Sequence, residues 1–175
     1  MARLFFALWP DEAARDELSA RAKQVARRCG GRPVPGANLH LTLVFLGEVD
    51  PRAIPALREA ARPGGESGFV LVLDQLGAFA RAAVAWAGCR EVPPGLVALQ
   101  AGLARRVREA GFAVDARPFA AHLTLARRIR EPLAAEPMPA VHWRVGSFAL
   151  VESVRGEGAY RTLAQWPLEG GGEET

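Results

Sequence analysis

The 175-residue chain holds two cysteines, three histidines and a single lysine, and it has no long apolar run. Cys29 and Cys89 stand far apart, in none of the close spacings that zinc or redox sites use, which argues against a disulfide framework or a cysteine-based metal site. The apolar opening from Arg3 to Trp9 runs directly into Asp11 and Glu12, too short for a secretion signal or a membrane span. It reads as the first strand of a cytoplasmic protein that engages no membrane. With Lys23 the only lysine, the net charge of +3 is carried by arginine, in clusters such as Arg105, Arg106 and Arg108, or Arg127, Arg128 and Arg130. Such clusters are compatible with a phosphate-bearing partner, although a solvated face explains an arginine run as readily. Half of the residues are apolar and 23% are charged, the ordinary balance of a soluble domain. Residues 1–169 suit one bilobal domain, and 170–175 read as a flexible, glycine-rich tail.

Helix signals bracket residues 11–28, which lack Gly and Pro, open on acidic residues and end at Gly30 and Gly31. Turn residues Pro33, Pro35 and Gly36 then lead to a strand over 39–46. A short helix is expected over 52–61, with Pro55 in its first turn or two, and a strand over 69–76. From Arg81 the pattern begins again: a strand over 84–87, a helix over 96–110 stopped by Gly111, and a strand carrying His122. Residues 137–139 read as a proline loop, and strands are expected over 145–154 and 160–166. With no glycine-rich nucleotide loop, this order predicts an α+β fold. Two lobes with antiparallel sheets, related by a pseudo-twofold axis, would flank a central cleft with helices outside.

Four residues occur twice, His40-Leu41-Thr42-Leu43 and His122-Leu123-Thr124-Leu125. Strand side chains alternate, so each leucine pair turns to one face while His and Thr share the other. A lone histidine in an apolar strand is more often structural, but a repeated core element does not require the same polar pair on the opposite face of both strands. With a pKa of about 6.5, two histidines brought together can serve as acid and base. In-line displacement at phosphorus uses both: one imidazole takes a proton from water while the other protonates the departing oxygen. Thr42 and Thr124 could hold the non-bridging oxygens, and Arg127, five positions after His122, could strengthen that clamp. The pattern is too sparse for a zinc hydrolase, and no metal or other cofactor is expected. His142 reads as a surface or strand-edge residue without a chemical role. By strict alternation Phe45 falls on the leucine face and reads as core, unless a bulge turns it.

These residues resemble those of the two-histidine (2H) phosphoesterases, and among them the RNA 2′,3′-cyclic phosphodiesterases, also called 2′-5′ RNA ligases. The resemblance extends from Arg3-Leu4-Phe5-Phe6-Ala7 through both motifs, with Phe45-Leu46-Gly47, Gly77-Ala78-Phe79, Trp86 and Arg117-Pro118-Phe119, to Ser147-Phe148-Ala149-Leu150-Val151-Glu152-Ser153 and Tyr160. It implies metal-independent opening of a nucleoside 2′,3′-cyclic phosphate at an RNA end, tRNA fragments among them, to give a 2′-phosphate, with 2′-5′ ligation as a further capability. It also implies a monomer in which His40 is the general acid, His122 the general base, Thr42, Thr124 and Arg127 hold the phosphate and Phe45 stacks on the base. Other readings of the same residues are a phosphodiesterase for a small cyclic nucleotide or a 2′-5′ linked oligonucleotide, and a non-catalytic module that binds RNA ends.

Overall fold

The computed structural model describes residues 1–156 and 158–171. Strand β1 (Ala2–Leu8) leads into helix α1 (Glu12–Cys29), whose ends are chemically marked. The Asp11 side chain accepts the Ala14 N–H at 2.8 Å, and Gly30 takes a left-handed φ of 66° to close the carboxyl end beside Arg27 and Arg28. A two-residue strand, β2 (Arg32–Pro33), precedes β3 (Leu41–Val49), which continues from His40. Then follow α2 (Ile54–Ala60), with Pro55 in its first turn, β4 (Phe69–Phe79), β5 (Val84–Gly88), α3 (Pro94–Glu109) and β6 (His122–Arg127). Strands β7 (Glu136–Val145), β8 (Ser147–Val154) and β9 (Ala159–Pro167) complete the fold.

The strands form one nine-stranded sheet in the order β7-β4-β5-β6-β3-β1-β8-β9, with β2 attached to β6, and all the named pairs are antiparallel. The architecture is α+β, as expected. The succession strand, helix, motif strand occurs twice, as β1-α1-β3 and as β5-α3-β6. Outward from the middle, β3-β1-β8-β9 and β6-β5-β4-β7 make two matching rows. The halves expected as lobes on either side of a cleft are thus joined edge to edge, through the single pair Leu41–Leu123.

Helices α1 and α3 each reach the other row. α1 packs on β5, β6 and β7, while α3 packs on β3 as well as β4. Leu18, Ala22 and Val25 of α1 and Leu96, Leu99 and Leu103 of α3 are buried in one core with Leu41, Leu123 and Leu125. Each buried leucine contributes roughly 1.5–3 kcal/mol. The motif leucines are therefore the anchors of the middle strands.

Residues 137–139, expected as a loop, lie instead in β7, where Met138, Val141, Trp143 and Val145 are buried and Pro137, Pro139 and His142 are exposed. Because β7 is an edge strand, a proline's missing N–H need not break a ladder there. The strand expected over 145–154 is split at Gly146, where the chain passes from β7 to β8. Of the residues expected as a tail, Gly171 donates its N–H to Leu168 O at 3.1 Å and packs on Gly146; residues 172–175 lie outside the described residues. Among the described residues no helix is long and apolar enough to cross a membrane.

One nearly buried ion pair fastens the segment before β4. Glu66 is 10% exposed and Arg106 of α3 is 17% exposed, and the same carboxylate accepts the Gly64 N–H at 2.6 Å. The Glu66 carbonyl accepts the Glu169 N–H at 3.0 Å, so this residue links α3, the loop and the segment that follows β9. Burial pushes the Glu66 carboxyl up, but the hydrogen bonds from Arg106 and Gly64 outweigh it and hold it below the ordinary carboxylate value. Its contribution is therefore present at neutral pH and lost as pH falls through that lowered value. Glu66→Gln, which leaves the Arg106 charge buried and unpaired, should lower stability by about 3 kcal/mol. Chemical denaturation at pH 7 measures this, and the variant's acid sensitivity should be smaller than that of the wild type.

Candidate active site

The leucine faces of β3 and β6 are pressed into the core, so the alternate face of each motif is turned outward from it. In an antiparallel pair centred on Leu41 and Leu123, position 40 lies across from 124 and position 42 across from 122. Each motif's histidine is thereby set beside the other motif's threonine. The two copies are not merely similar strings; they complete one another.

Each motif strand then bulges at the same place. Against β1, Thr42 pairs with Ala7 and Val44 with Phe6, leaving Leu43 as the extra residue. Against β5, Thr124 pairs with Trp86 and Ala126 with Ala85, leaving Leu125 as the extra residue. The bulged carbonyls find donors elsewhere: the Gln100 amide reaches Leu43 O at 3.4 Å, and the Val34 N–H reaches Leu125 O at 2.8 Å. Two consecutive buried residues follow in both strands, Leu43-Val44 and Leu125-Ala126. The next position returns to the histidine face. That position is Phe45 in one strand and Arg127 in the other. The core placement that strict alternation gives Phe45 is therefore corrected by the bulge. Its ring packs instead with Phe5, Ala7, Ala149 and Val151, on the side occupied by Trp9 and Tyr160, and the Arg3 guanidinium lies 5.1 Å from its centroid.

Both imidazoles are held the same way. Nδ1 of His40 lies 2.7 Å from Asn38 O, and Nδ1 of His122 lies 2.7 Å from Ala120 O. A carbonyl only accepts, so Nδ1 carries the proton in each ring and Nε2 is left for other partners. The walls differ. His40 is enclosed by Phe5, Trp9 and Tyr160, with ring centroids at 5.1, 5.5 and 5.0 Å. His122 meets the ring of Phe79 nearly perpendicularly at 5.1 Å. Burial lowers the proton affinity of His40; the Asn38 carbonyl partly offsets this, and the charges of Arg127 and His122 depress it further. The free protein therefore favours a neutral His40.

Two cavities adjoin this face. One, of about 370 Å³, is lined by Thr42, Phe45, Phe79, Phe119 and His122, with the ion-paired Asp115 and Arg117 at its rim. The other, of about 320 Å³, contains Asn38, Arg127 and Tyr160. His142 is exposed on β7, outside both. Among the described residues, no three His, Cys, Asp or Glu side chains are grouped as metal ligands. The aromatic walls follow no local pattern, although Phe5, Phe79 and Tyr160 lie within the stretches that carry the resemblance: Phe5 and Trp9 meet Tyr160 around His40 through strand pairing, and Phe79 meets His122. The carbonyls that orient the histidines are backbone atoms, which no residue pattern announces.

The sequence model of the LigT-like phosphoesterases matches residues 8–86 and 88–159. The RNA 2′,3′-cyclic phosphodiesterase of Escherichia coli is 38% identical over 171 residues, covering 95% of this chain and 96% of that protein. The RNA 2′,3′-cyclic phosphodiesterase of Thermus thermophilus is 33% identical over 183 residues, covering 96% and 91%. Among solved structures, the crystal structure of E. coli LigT complexed with 3′-AMP superposes with a TM-score of 0.86 at 34% identity, covering 96% of this chain and 98% of that one.

A pH titration of the imidazole resonances tests the electrostatics of the site. His40 should change charge below the ordinary value of about 6.5, and Arg127→Gln should move its midpoint upward by removing a nearby cation. A His40 midpoint above that value would contradict the account.

Proposed function

The chain belongs to the LigT-like phosphoesterase family, and on that footing we propose that it opens nucleoside 2′,3′-cyclic phosphate at RNA ends to a 2′-phosphate. The observation that carries this reading is the reciprocal pairing of the motifs, which sets two imidazoles with free Nε2 atoms on one face, each across from a threonine. A module that only bound RNA ends would need no such acid and base.

In this mechanism the Thr42 and Thr124 hydroxyls donate hydrogen bonds to the non-bridging phosphate oxygens, and the Arg127 guanidinium adds its charge. Nε2 of His122 takes a proton from water as its oxygen attacks phosphorus. The bond from phosphorus to the ribose 3′-oxygen breaks, and Nε2 of His40 gives that oxygen a proton. Each transfer contributes about 10² to 10⁴ in rate. The neutral bias of His40 in the free protein is reversed by the substrate itself, because an anionic phosphate beside the imidazole favours its charged form. Phe45, turned to this face by the bulge, serves as the platform for the terminal base. A ribose 5′-hydroxyl in place of water gives a 2′-5′ linkage by the same proton transfers. The chain works in this way as a monomer in the cytoplasm, on RNA ends that include tRNA fragments.

The test is hydrolysis of an oligonucleotide ending in a 2′,3′-cyclic phosphate, in the presence of chelator. Turnover should persist, the product should be the 2′-phosphate isomer, and the pH profile should be bell-shaped. His40→Ala and His122→Ala should each lower kcat by about 10³, and Thr42→Ala or Thr124→Ala by about 10². Wild-type turnover in both alanine variants of the histidines would refute the mechanism.

A further inference from the structure

The arginines of this chain fall into two groups. Many are neutralised by carboxylates, as Arg28 is by Glu136, Arg90 by Asp74, Arg117 by Asp115 and Arg161 by Glu152. Arg32, Arg127 and Arg128 are among the arginines with no carboxylate partner among the described residues, and all three line the same cavity of about 320 Å³, where no acidic side chain is found among the described lining residues.

Two features of the backbone concentrate this charge rather than disperse it. Arg32 and Arg127 are direct partners across the β2–β6 pair, an arrangement in which like charges repel. Arg128 holds a φ of 55°, in the left-handed region that disfavours a side chain. Like charges gathered at one spot, with no carboxylate among the described residues to offset them, suit a site completed by an external anion.

The position of the cavity identifies which anion. Arg127 is close enough to His40 to depress its proton affinity, and Tyr160, which packs on the His40 ring, also lines the cavity. The arginine cavity therefore adjoins the reacting centre. Phe45 and Phe79 line the separate, more aromatic cavity that contains Thr42 and His122. A nucleotide seated with its base toward Phe45 would direct the rest of its chain toward the arginines. We propose that Arg32 and Arg128, beside the Arg127 that serves the reacting phosphate, form a second phosphate subsite that takes the phosphodiester immediately preceding the cyclic end. This rests on the proposed reaction, and it makes the preferred substrate an RNA strand rather than a free cyclic nucleotide.

Three substrates test it: a nucleoside 2′,3′-cyclic phosphate, its 5′-phosphorylated form, and a dinucleotide ending in the cyclic phosphate. A charge-assisted contact implies a gain in kcat/KM of roughly tenfold from the first to the second and third. The dependence of log kcat/KM on log salt should steepen by about 0.7 for each further phosphate neutralised. Arg32→Gln and Arg128→Gly should remove most of that gain, glycine being at ease with the positive φ, while Arg128→Lys should retain part of it. Equilibrium binding of nucleoside 2′-phosphates with and without a 5′-phosphate makes the comparison without turnover. A binding gain that both charge-removing variants abolish supports the subsite even if no substrate is hydrolysed, a result that would overturn only the proposed reaction. Hydrolysis with no gain from the 5′-phosphate, or a gain untouched by both variants, would overturn the subsite and leave the reaction standing.

Discussion

Everything at this site depends on one backbone contact, the antiparallel pair Leu41–Leu123 that joins the two rows of the sheet. Two-fold symmetry about such a pair necessarily sets position 40 of one strand beside 124 of the other, and 42 beside 122. A slip of one residue in either strand would turn its histidine into the core and its leucines out of it. The register is held by the leucines, which are fully buried under helices α1 and α3, each reaching the opposite row. Core packing and site geometry are consequently one constraint, expressed on two faces of the same strands.

Symmetry of the backbone does not carry over to the side chains around it. The same bulge in each strand delivers an aromatic ring on one side, Phe45, and a guanidinium on the other, Arg127. The walls diverge likewise: three aromatic rings enclose His40, while Phe79 meets His122 edge-on. Two equivalent half-sites thus acquire different electrostatics and different neighbours. In the proposed reaction that difference orients the substrate, with the base toward the aromatic cavity and charge toward the arginines.

Much of this was legible in the sequence because it follows from periodicity and capping. The face shared by His40 and Thr42, the helix between Asp11 and Gly30, and the repeated order of elements each have a local signal, and each appears in the structure. What was not legible depends on pairing between distant segments. The side of the strand that Phe45 occupies is decided by a bulge against β1, which alternation within β3 cannot reveal. The prolines of β7 mimic a loop because only their edge position, a property of the whole sheet, makes them tolerable in a strand. Arg32 carries no motif at all; its meaning comes from being opposite Arg127.

The central claim is that one phosphate is held by both motifs at once. A crystal structure with a nucleoside 2′-phosphate bound tests it most directly. The phosphate oxygens should lie within about 2.6–3.2 Å of Nε2 of both His40 and His122, with the hydroxyls of Thr42 and Thr124 donating to the same group. A phosphate held by only one of the two motifs, or bound away from both, would contradict the account.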